Sequence, residues 1–244
     1  MNLAIITGTS KGLGEELANQ LLDKGYHVLG IARSSSESLA GNDAYTHLSC
    51  DIGNLEALEQ TIEQVKQSIE EKQLNSVLLI NNAGIVNPIN QASEVESDAL
   101  VKNVQVNTIA PMVTTNKLLN YCSKNDIKLV CGTVTSGAAE RPFFGWSVYC
   151  SAKASVNMYT ETVALEQEEL GKPHKFIAFS PGVMDTNMQE VIRSSSESEF
   201  KDIADFKALK SENRLAQASD VATQLLNILL DDESIKNGTV YYAK

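Results

Sequence analysis

A tyrosine and a lysine four positions apart, Tyr149 and Lys153 in the segment YCSAK, have the first spacing in this sequence that suggests chemistry. In a helix, side chains four positions apart lie on the same face, so the phenol and the ammonium would be neighbours. A phenol with an ordinary pKa near 10 releases its proton poorly at neutral pH. A neighbouring ammonium stabilises the phenolate and is expected to lower that pKa. The pair therefore predicts a general acid that protonates a substrate oxygen.

Two more polar residues are expected to converge on this pair. Ser136, in GTVTSG, follows the carboxyl end of a predicted strand, where ligands bind in open α/β sheets, and its hydroxyl could hold the substrate oxygen. Asn107, in VQVNT, falls within a predicted helix although asparagine forms helices poorly, which favours a buried hydrogen-bonding task. Four polar groups would then form one site.

A glycine-rich loop, TGTSKGLG at 7–14, follows the first apolar run and precedes a helical pattern. Gly8, Gly12 and Gly14 allow a sharp turn and bring backbone N–H groups close to a phosphate at the positive end of a helix. A strand before the loop and a helix after it are the context that a dinucleotide-binding fold requires. The loop therefore predicts a dinucleotide site.

The residues after the second apolar run indicate which dinucleotide binds. An NAD site carries a carboxylate there for the ribose hydroxyls, whereas this chain has Ala32 and Arg33. The Arg33 guanidinium, together with Lys11 in the glycine loop, suits a 2′-phosphate. We expect NADP(H) as the cofactor.

The elements that must position these residues alternate between short apolar runs and amphipathic helical stretches. Seven runs are predicted as strands, with helices from about residue 13, across 55–72, 97–121 and 147–169, and near 219–230. This alternation predicts an α/β fold with a parallel sheet and helices on both faces. A serine-rich insertion after the sixth strand, at about 183–212, is longer than a crossover needs and is predicted to be a lid over the site. The whole chain, 1–244, is expected to be one domain.

Composition excludes several classes of function. The 244 residues carry a net charge of −11, which argues against nucleic acid or an anionic membrane as partner. No apolar run is long enough to span a bilayer, and MNLAIITG lacks the basic region of a signal peptide, so we expect a cytoplasmic protein. The four cysteines show no CxxC pair, so we expect no metal site. The three histidines lie away from Ser136 and Tyr149, which leaves a Ser-His-Asp hydrolase unsupported.

Together these motifs resemble the full series of the short-chain dehydrogenases/reductases, in order and spacing, across nearly the whole chain. The series comprises TGTSKGLG, NNAG at 81–84, Asn107, Ser136, YCSAK at 149–153 and SPGV at 180–183. The resemblance implies a doubly wound Rossmann fold with the strand order 3-2-1-4-5-6-7. It also implies Tyr149 as general acid, Lys153 as its activator and ribose anchor, Ser136 as carbonyl orienter and Asn107 as support for a water relay.

The same resemblance implies where the cofactor binds. Asp51 would hold the adenine, and Asn82, Ala83 and Gly84 would border its ribose. The full expected set is Gly8, Ser10, Lys11, Gly12, Leu13, Gly14, Arg33, Ser34, Asp51, Ile52, Asn82, Ala83, Gly84, Asn107, Tyr149, Lys153, Pro181, Gly182, Val183 and Thr186.

Two segments, 136–160 and 179–196, resemble the sepiapterin reductase branch, and more closely its bacterial relatives, the benzil reductases that form (S)-benzoin. In that branch an aspartate anchors a pterin, and Asp185 is its counterpart. Phe143, Phe144, Trp146 and Met184 are expected to form apolar walls beside the reacting carbonyl.

The sequence therefore predicts an NADPH-dependent reductase of a ketone or vicinal diketone. The alternatives are a pterin reductase, a 3-oxoacyl carrier reductase, a hydroxysteroid dehydrogenase and, from another class, an NADP-sensing regulator without turnover. The resemblance also implies a homodimer or homotetramer built through the two long helices that flank the site.

Overall fold

The computed structural model describes residues 2–72 and 74–244, and Met1 and Gln73 of the predicted domain lie outside the described residues. Seven parallel strands form one sheet in the order β3-β2-β1-β4-β5-β6-β7, which confirms the predicted fold and strand order. The strands are β1 Asn2–Thr7, β2 Tyr26–Ala32, β3 Tyr45–Ser49, β4 Ser76–Asn81, β5 Lys128–Val134, β6 Lys175–Ser180 and β7 Val240–Tyr242.

Within the described residues, eight α-helices connect or follow these strands. They are α1 Leu13–Asp23, α2 Leu55–Glu70, α3 Ser97–Val104, α4 Ala110–Lys124, α5 Ser147–Glu169, α6 Asn187–Arg193, α7 Ile203–Ser211 and α8 Ala218–Leu229. The Asn54 side chain caps α2 by accepting a hydrogen bond from the Ala57 N–H at 3.1 Å. None of the helices within the described residues is long and apolar enough to cross a membrane.

The helices cover the sheet on both faces, which is why its central strands are apolar along their whole length. Successive strand residues point to opposite faces, so Ile5 of β1 packs in one core with α2, α4 and α5, whereas Ile6 packs in the other with α1 and α8. Because all strands are parallel, their carboxyl ends lie along a single edge. The loops that carry Gly8, Asn82, Ser136 and Pro181 all leave the sheet at this edge.

Two elements near this edge refine the expectations from sequence. The helix expected over 97–121 consists of α3, a π-helical turn at Gln105–Ile109 and α4, and Asn107 lies within the π turn. Its amide bonds the backbone of Ile85 instead of lying on a helix surface, and such turns often occur at functional sites. The segment expected to be a lid contains α6 and α7, which lie between β6 and α8.

Candidate active site

A cavity of about 740 Å³ opens at the carboxyl edge of the sheet. The glycine loop lines one end. The α6–α7 segment, whose role as a lid remains a prediction, and the segment before α5 line the other end, and Tyr149 and Lys153 lie on the wall of the cavity. Of the expected cofactor-binding set, the cavity is lined by Gly8, Ser10, Lys11, Gly12, Leu13, Arg33, Asp51, Ile52, Asn82, Ala83, Gly84, Tyr149, Lys153, Pro181, Gly182, Val183 and Thr186. The structure thus brings together residues from five loops of the chain and from α5.

The glycine loop has a backbone conformation that side chains at its glycine positions would prevent. Gly8 has φ 80°, and a Cβ on it would lie 3.0 Å from the Ala83 Cα. Gly12 has φ 63° where α1 begins. Gly14 lies outside the cavity lining, and a Cβ there would lie 2.1 Å from the Gly8 carbonyl oxygen. Gly14 therefore serves the close packing of α1 against β1, and Gly8 and Gly12 leave the space that a dinucleotide phosphate needs.

The NNAG segment is fastened to this loop by side-chain hydrogen bonds. The Asn82 amide donates to the Thr7 carbonyl at 3.0 Å and to the Gly8 carbonyl at 3.3 Å. In return, the Thr7 hydroxyl accepts from the backbone N–H groups of Asn82 and Ala83, both at 3.0 Å. The floor of the cofactor end is therefore held rigidly where β1 and β4 end.

The end of the cavity next to β2 and β3 carries the predicted basic residues. Arg33 directly follows β2 and lines the cavity with Lys11, whereas Ser34 lies outside the lining. The Asp51 carboxylate accepts a hydrogen bond from the Gly53 N–H at 3.0 Å and faces the same end. The donor set of Arg33 and Lys11 fits a phosphorylated ribose better than a free hydroxyl pair, since both residues only donate hydrogen bonds.

Tyr149 and Lys153 lie one turn apart in α5, each with 5% of its surface exposed. The Lys153 ammonium lies 5.8 Å from the Tyr149 ring centroid and donates to the Val134 carbonyl at 2.9 Å. That carbonyl ends β5, two residues before Ser136, whose side chain caps the next turn by accepting from the Ala138 N–H at 3.2 Å. The end of β5 thus fixes the lysine and the serine together.

Burial controls the proton affinities of this pair. It raises the pKa of Tyr149 to about 12, and polar contact with the Ser136 side chain opposes the rise only in part. It also lowers the pKa of Lys153 to about 8. The expectation that the lysine lowers the pKa of the tyrosine is therefore wrong, because loss of solvation on burial raises that pKa. Tyr149 carries its proton throughout the neutral range.

Asn107 lies behind the wall, outside the cavity lining, and is 1% exposed. Its carbonyl oxygen accepts from the Ile85 N–H at 3.0 Å, and its amide donates to the Ile85 carbonyl at 2.7 Å and to the Asn103 side chain at 2.8 Å. A Cβ on Gly84 would lie 3.0 Å from the Asn107 oxygen and 3.6 Å from the Lys153 nitrogen. Asn107 therefore lies next to Lys153 across Gly84.

Asn103 was missed from the sequence. It is fully buried, and its amide donates to the Asn87 carbonyl at 2.7 Å. The signal in KNVQVN was a second asparagine four positions before Asn107, on the same helical face.

An aromatic cluster forms the other end of the cavity. Trp146, one turn before Tyr149, stacks on Phe200 of the lid with centroids 4.5 Å apart and meets Tyr149 edge-on at 5.4 Å. Phe143 and Met184 line the cavity as expected, whereas Phe144 is exposed and lies outside it. Gly145, with φ 88°, lets the lid approach, since a Cβ there would lie 2.0 Å from the Glu199 carbonyl oxygen.

Asp185 departs from the predicted substrate set. It lies outside the cavity lining, and its carboxylate pairs with the Lys210 ammonium at 2.5 Å across the lid. The ion pair with α7 directs the Asp185 side chain away from the cavity. The neighbouring Met184 and Thr186 face inward instead.

Other chemistry finds little support in the part of the chain that the structure describes. There, no group of three or more His, Cys, Asp or Glu side chains is placed to hold a metal ion. His174 bonds the Leu129 N–H and the Ser123 hydroxyl, both at 3.0 Å, at the far end of β5 from Ser136. It serves the fold.

Comparison with known families agrees with this geometry. The model of the short chain dehydrogenase family matches residues 2–197. The chain is a short-chain dehydrogenase/reductase. Enzymes of this family act on small molecules, and homologues of this fold bind NAD(H) or NADP(H).

Within the family, the chain is 40% identical to a benzil reductase ((S)-benzoin forming) of Bacillus subtilis, over the whole chain and 99% of that protein. It is 29% identical to the sepiapterin reductase of Meriones unguiculatus, over 94% of the chain and 92% of that protein. A crystal structure of a short-chain dehydrogenase/reductase of Saccharomyces cerevisiae superposes with a TM-score of 0.83 at 26% identity, covering 99% of this chain and 96% of that one. This oxidoreductase is thus close in sequence to benzil reductases.

Proposed function

We propose that this protein is an NADPH-dependent carbonyl reductase whose substrates are aryl ketones and vicinal diketones such as benzil. The observation that carries the proposal is the buried, protonated Tyr149 at the junction of a phosphate-binding glycine loop and an aromatic pocket. The flat walls formed by Trp146 and Phe143 suit a planar aryl group. The similarity to benzil reductases supports the same substrate class.

The protein's own residues supply the proton and the positioning. With a pKa raised to about 12, Tyr149 is a neutral donor that passes its proton to the carbonyl oxygen as negative charge develops there. Ser136 and Tyr149 hold that oxygen between them. Lys153 stabilises the resulting phenolate and, with a pKa lowered to about 8, returns the proton readily at neutral pH.

NADPH would supply the hydride to the carbonyl carbon. Gly8, Ser10 and Gly12 would hold its pyrophosphate, and Arg33 with Lys11 would bind the 2′-phosphate. Lys153 would anchor the ribose near the reacting carbon. Gly8 and Gly12, both with a positive φ, and the basic pair Lys11 and Arg33 are the features of this chain that fit the cofactor.

Two alternative functions are less well supported. A pterin reductase would need Asp185 in the cavity, yet its carboxylate pairs with Lys210 outside. An NADP-sensing regulator would have no need for a proton donor, yet Tyr149, Lys153 and Ser136 are held together by β5 and α5. A 3-oxoacyl reductase or a hydroxysteroid dehydrogenase would share the catalytic residues, so substrates must decide among them.

The deciding experiment follows NADPH or NADH oxidation by purified protein with benzil, 1-phenyl-1,2-propanedione, sepiapterin, an aryl monoketone and an acetoacetyl thioester. Turnover of the diketones with NADPH supports the proposal. Activity confined to the thioester, or tight NADPH binding without turnover of any substrate, contradicts it in favour of the acyl reductase or the sensor.

The Tyr149→Phe variant tests the proton donor. It keeps the ring that packs on Trp146 and removes only the hydroxyl, so we expect kcat to fall by at least about 100-fold while the Kd for NADPH is unchanged. Steady-state kinetics and a fluorescence titration of NADPH measure the two quantities. Near-normal turnover by this variant would refute the mechanism.

We further propose that the enzyme acts in the cytoplasm. Its four cysteines are free thiols, three of them buried, which suits a reducing compartment.

A further inference from the structure

Gln189, on the inner side of α6, is a buried polar residue in the substrate end of the cavity. It is 2% exposed and lines the cavity beside Met188, Ile192 and Phe206. Burying an amide among apolar side chains is unfavourable unless its donors and acceptor find partners. Neither the proton transfer nor the cofactor site explains why a glutamine lies here.

The contacts of the Gln189 amide fix its orientation. Its oxygen accepts a hydrogen bond from the Arg193 guanidinium, one turn further along α6. A guanidinium only donates hydrogen bonds, so the oxygen must face Arg193 and the NH₂ group must face the other way. There, the NH₂ group donates to the Phe206 carbonyl of α7 at 3.5 Å, a long contact. The second N–H has no hydrogen-bond partner within the described residues.

We propose that this free N–H of Gln189 binds the second, unreduced carbonyl oxygen of a vicinal diketone. The inference rests on the proposed function and adds to it the residue that distinguishes diketones from monoketones. Ser136 and Tyr149 hold the oxygen that is protonated, and Gln189 supplies a donor to a second acceptor across the same apolar cavity. A substrate without that acceptor leaves the amide unsatisfied, which is the kind of loss that makes polar sites selective.

The test compares benzil with 1,2-diphenylethanone, which has the same two rings and one carbonyl. Gln189→Glu keeps the acceptor for Arg193 and the side-chain shape but removes the donor, and Gln189→Met removes both. For each variant we expect kcat/KM for benzil to fall roughly 10- to 100-fold, chiefly through KM, with little change for the monoketone. If the monoketone turns over too slowly, its inhibition constant against benzil reports the same binding.

The control is Glu190→Gln, on the exposed side of the same helix, which should alter neither substrate. Thermal melting checks that each variant is folded. Parallel losses for both ketones, or no loss for benzil, would overturn the role of Gln189 while leaving the proposed function intact. A wild-type enzyme that does not reduce benzil would instead overturn the proposed function, and the inference with it.

Discussion

Arg33 is the residue on which the choice of cofactor is expected to depend. Replacing it by aspartate (Arg33→Asp) would put a carboxylate beside the 2′-phosphate, so kcat/KM for NADPH should fall roughly 10- to 100-fold while that for NADH is spared. The control is Lys24→Asp, which changes the net charge equally at an exposed position after α1. Equal losses with both cofactors would show that Arg33 does not read the phosphate.

Lys153 should govern how reduction depends on pH. Burial lowers its pKa from about 10.5 to about 8, so the ammonium is present below about pH 8 and lost above it. In the proposed mechanism, reduction needs the proton that this ammonium returns to Tyr149, so kcat/KM should be level near neutral pH. Above about pH 8 it should fall roughly tenfold per unit.

The Lys153→Arg variant provides the comparison for this profile. A guanidinium stays charged throughout the range, so the variant should be slower at neutral pH but should lose the decline near pH 8. An unchanged decline in Lys153→Arg would assign the titration to another group.

The residues that the sequence revealed most clearly are those whose relation is local. Tyr149 and Lys153 share a face because of helical spacing, and Gly8 and Gly12 stand in a fixed order between β1 and α1. Their roles remain predictions, but their convergence on one cavity was predictable, because parallel strands place all their carboxyl ends at one edge.

The features that the sequence did not reveal depend on packing between residues that are far apart in the chain. Asp185 turns outward because Lys210, twenty-five positions away, pairs with it. The pKa of Tyr149 rises because side chains from several elements remove its solvent. Gln189 was missed because only the fold shows that its face of α6 points into the cavity.

At the scale of elements, the lid packs against the segment before α5 through an aromatic cluster in which Phe200 contacts both Phe143 and Trp146. Phe200 is fully buried and stacks on Trp146, the residue that precedes α5. The Phe200→Ala substitution should destabilise the local packing by about 3–5 kcal/mol of free energy, so the lid should loosen. We expect the KM of the ketone to rise and the Kd of NADPH to stay unchanged.

Because Trp146 is the chain's single tryptophan, its fluorescence reports directly on the loss of Phe200 packing. As Trp146 becomes hydrated in Phe200→Ala, its emission should move to longer wavelength. Phe144→Ala is the control, since Phe144 is exposed and outside the cavity. A matching loss of cofactor affinity in Phe200→Ala would mean that the stack supports the whole site, and not the lid alone.

At the scale of the whole molecule, α5 carries two apolar side chains that face solvent in the single chain. Met158 is 63% exposed and Leu165 is 57% exposed, two helical turns apart on the same side. The family resemblance implies assembly through the long helices flanking the site, and these two residues would lie in that interface.

We therefore expect size-exclusion chromatography with light scattering to show a homodimer or homotetramer. Leu165→Glu should shift it to a smaller species, because a carboxylate would be buried in the interface. Leu170→Glu is the matched control, since Leu170 is 66% exposed at the end of α5 and off that face. A monomeric wild-type protein, or equal dissociation by both variants, would contradict the expectation.

The order in which the chain contributes to its cavity has an evolutionary consequence. The glycine loop, Arg33 and the NNAG segment all precede residue 85, whereas Phe143, Trp146 and the lid residues of the proposed ketone pocket all follow residue 142. Mutations that alter the pocket thus accumulate in a stretch of gene separate from the one that encodes most of the nucleotide site. Recombination between relatives at the intervening β5 could then exchange substrate ranges while each parent's choice of coenzyme is inherited intact.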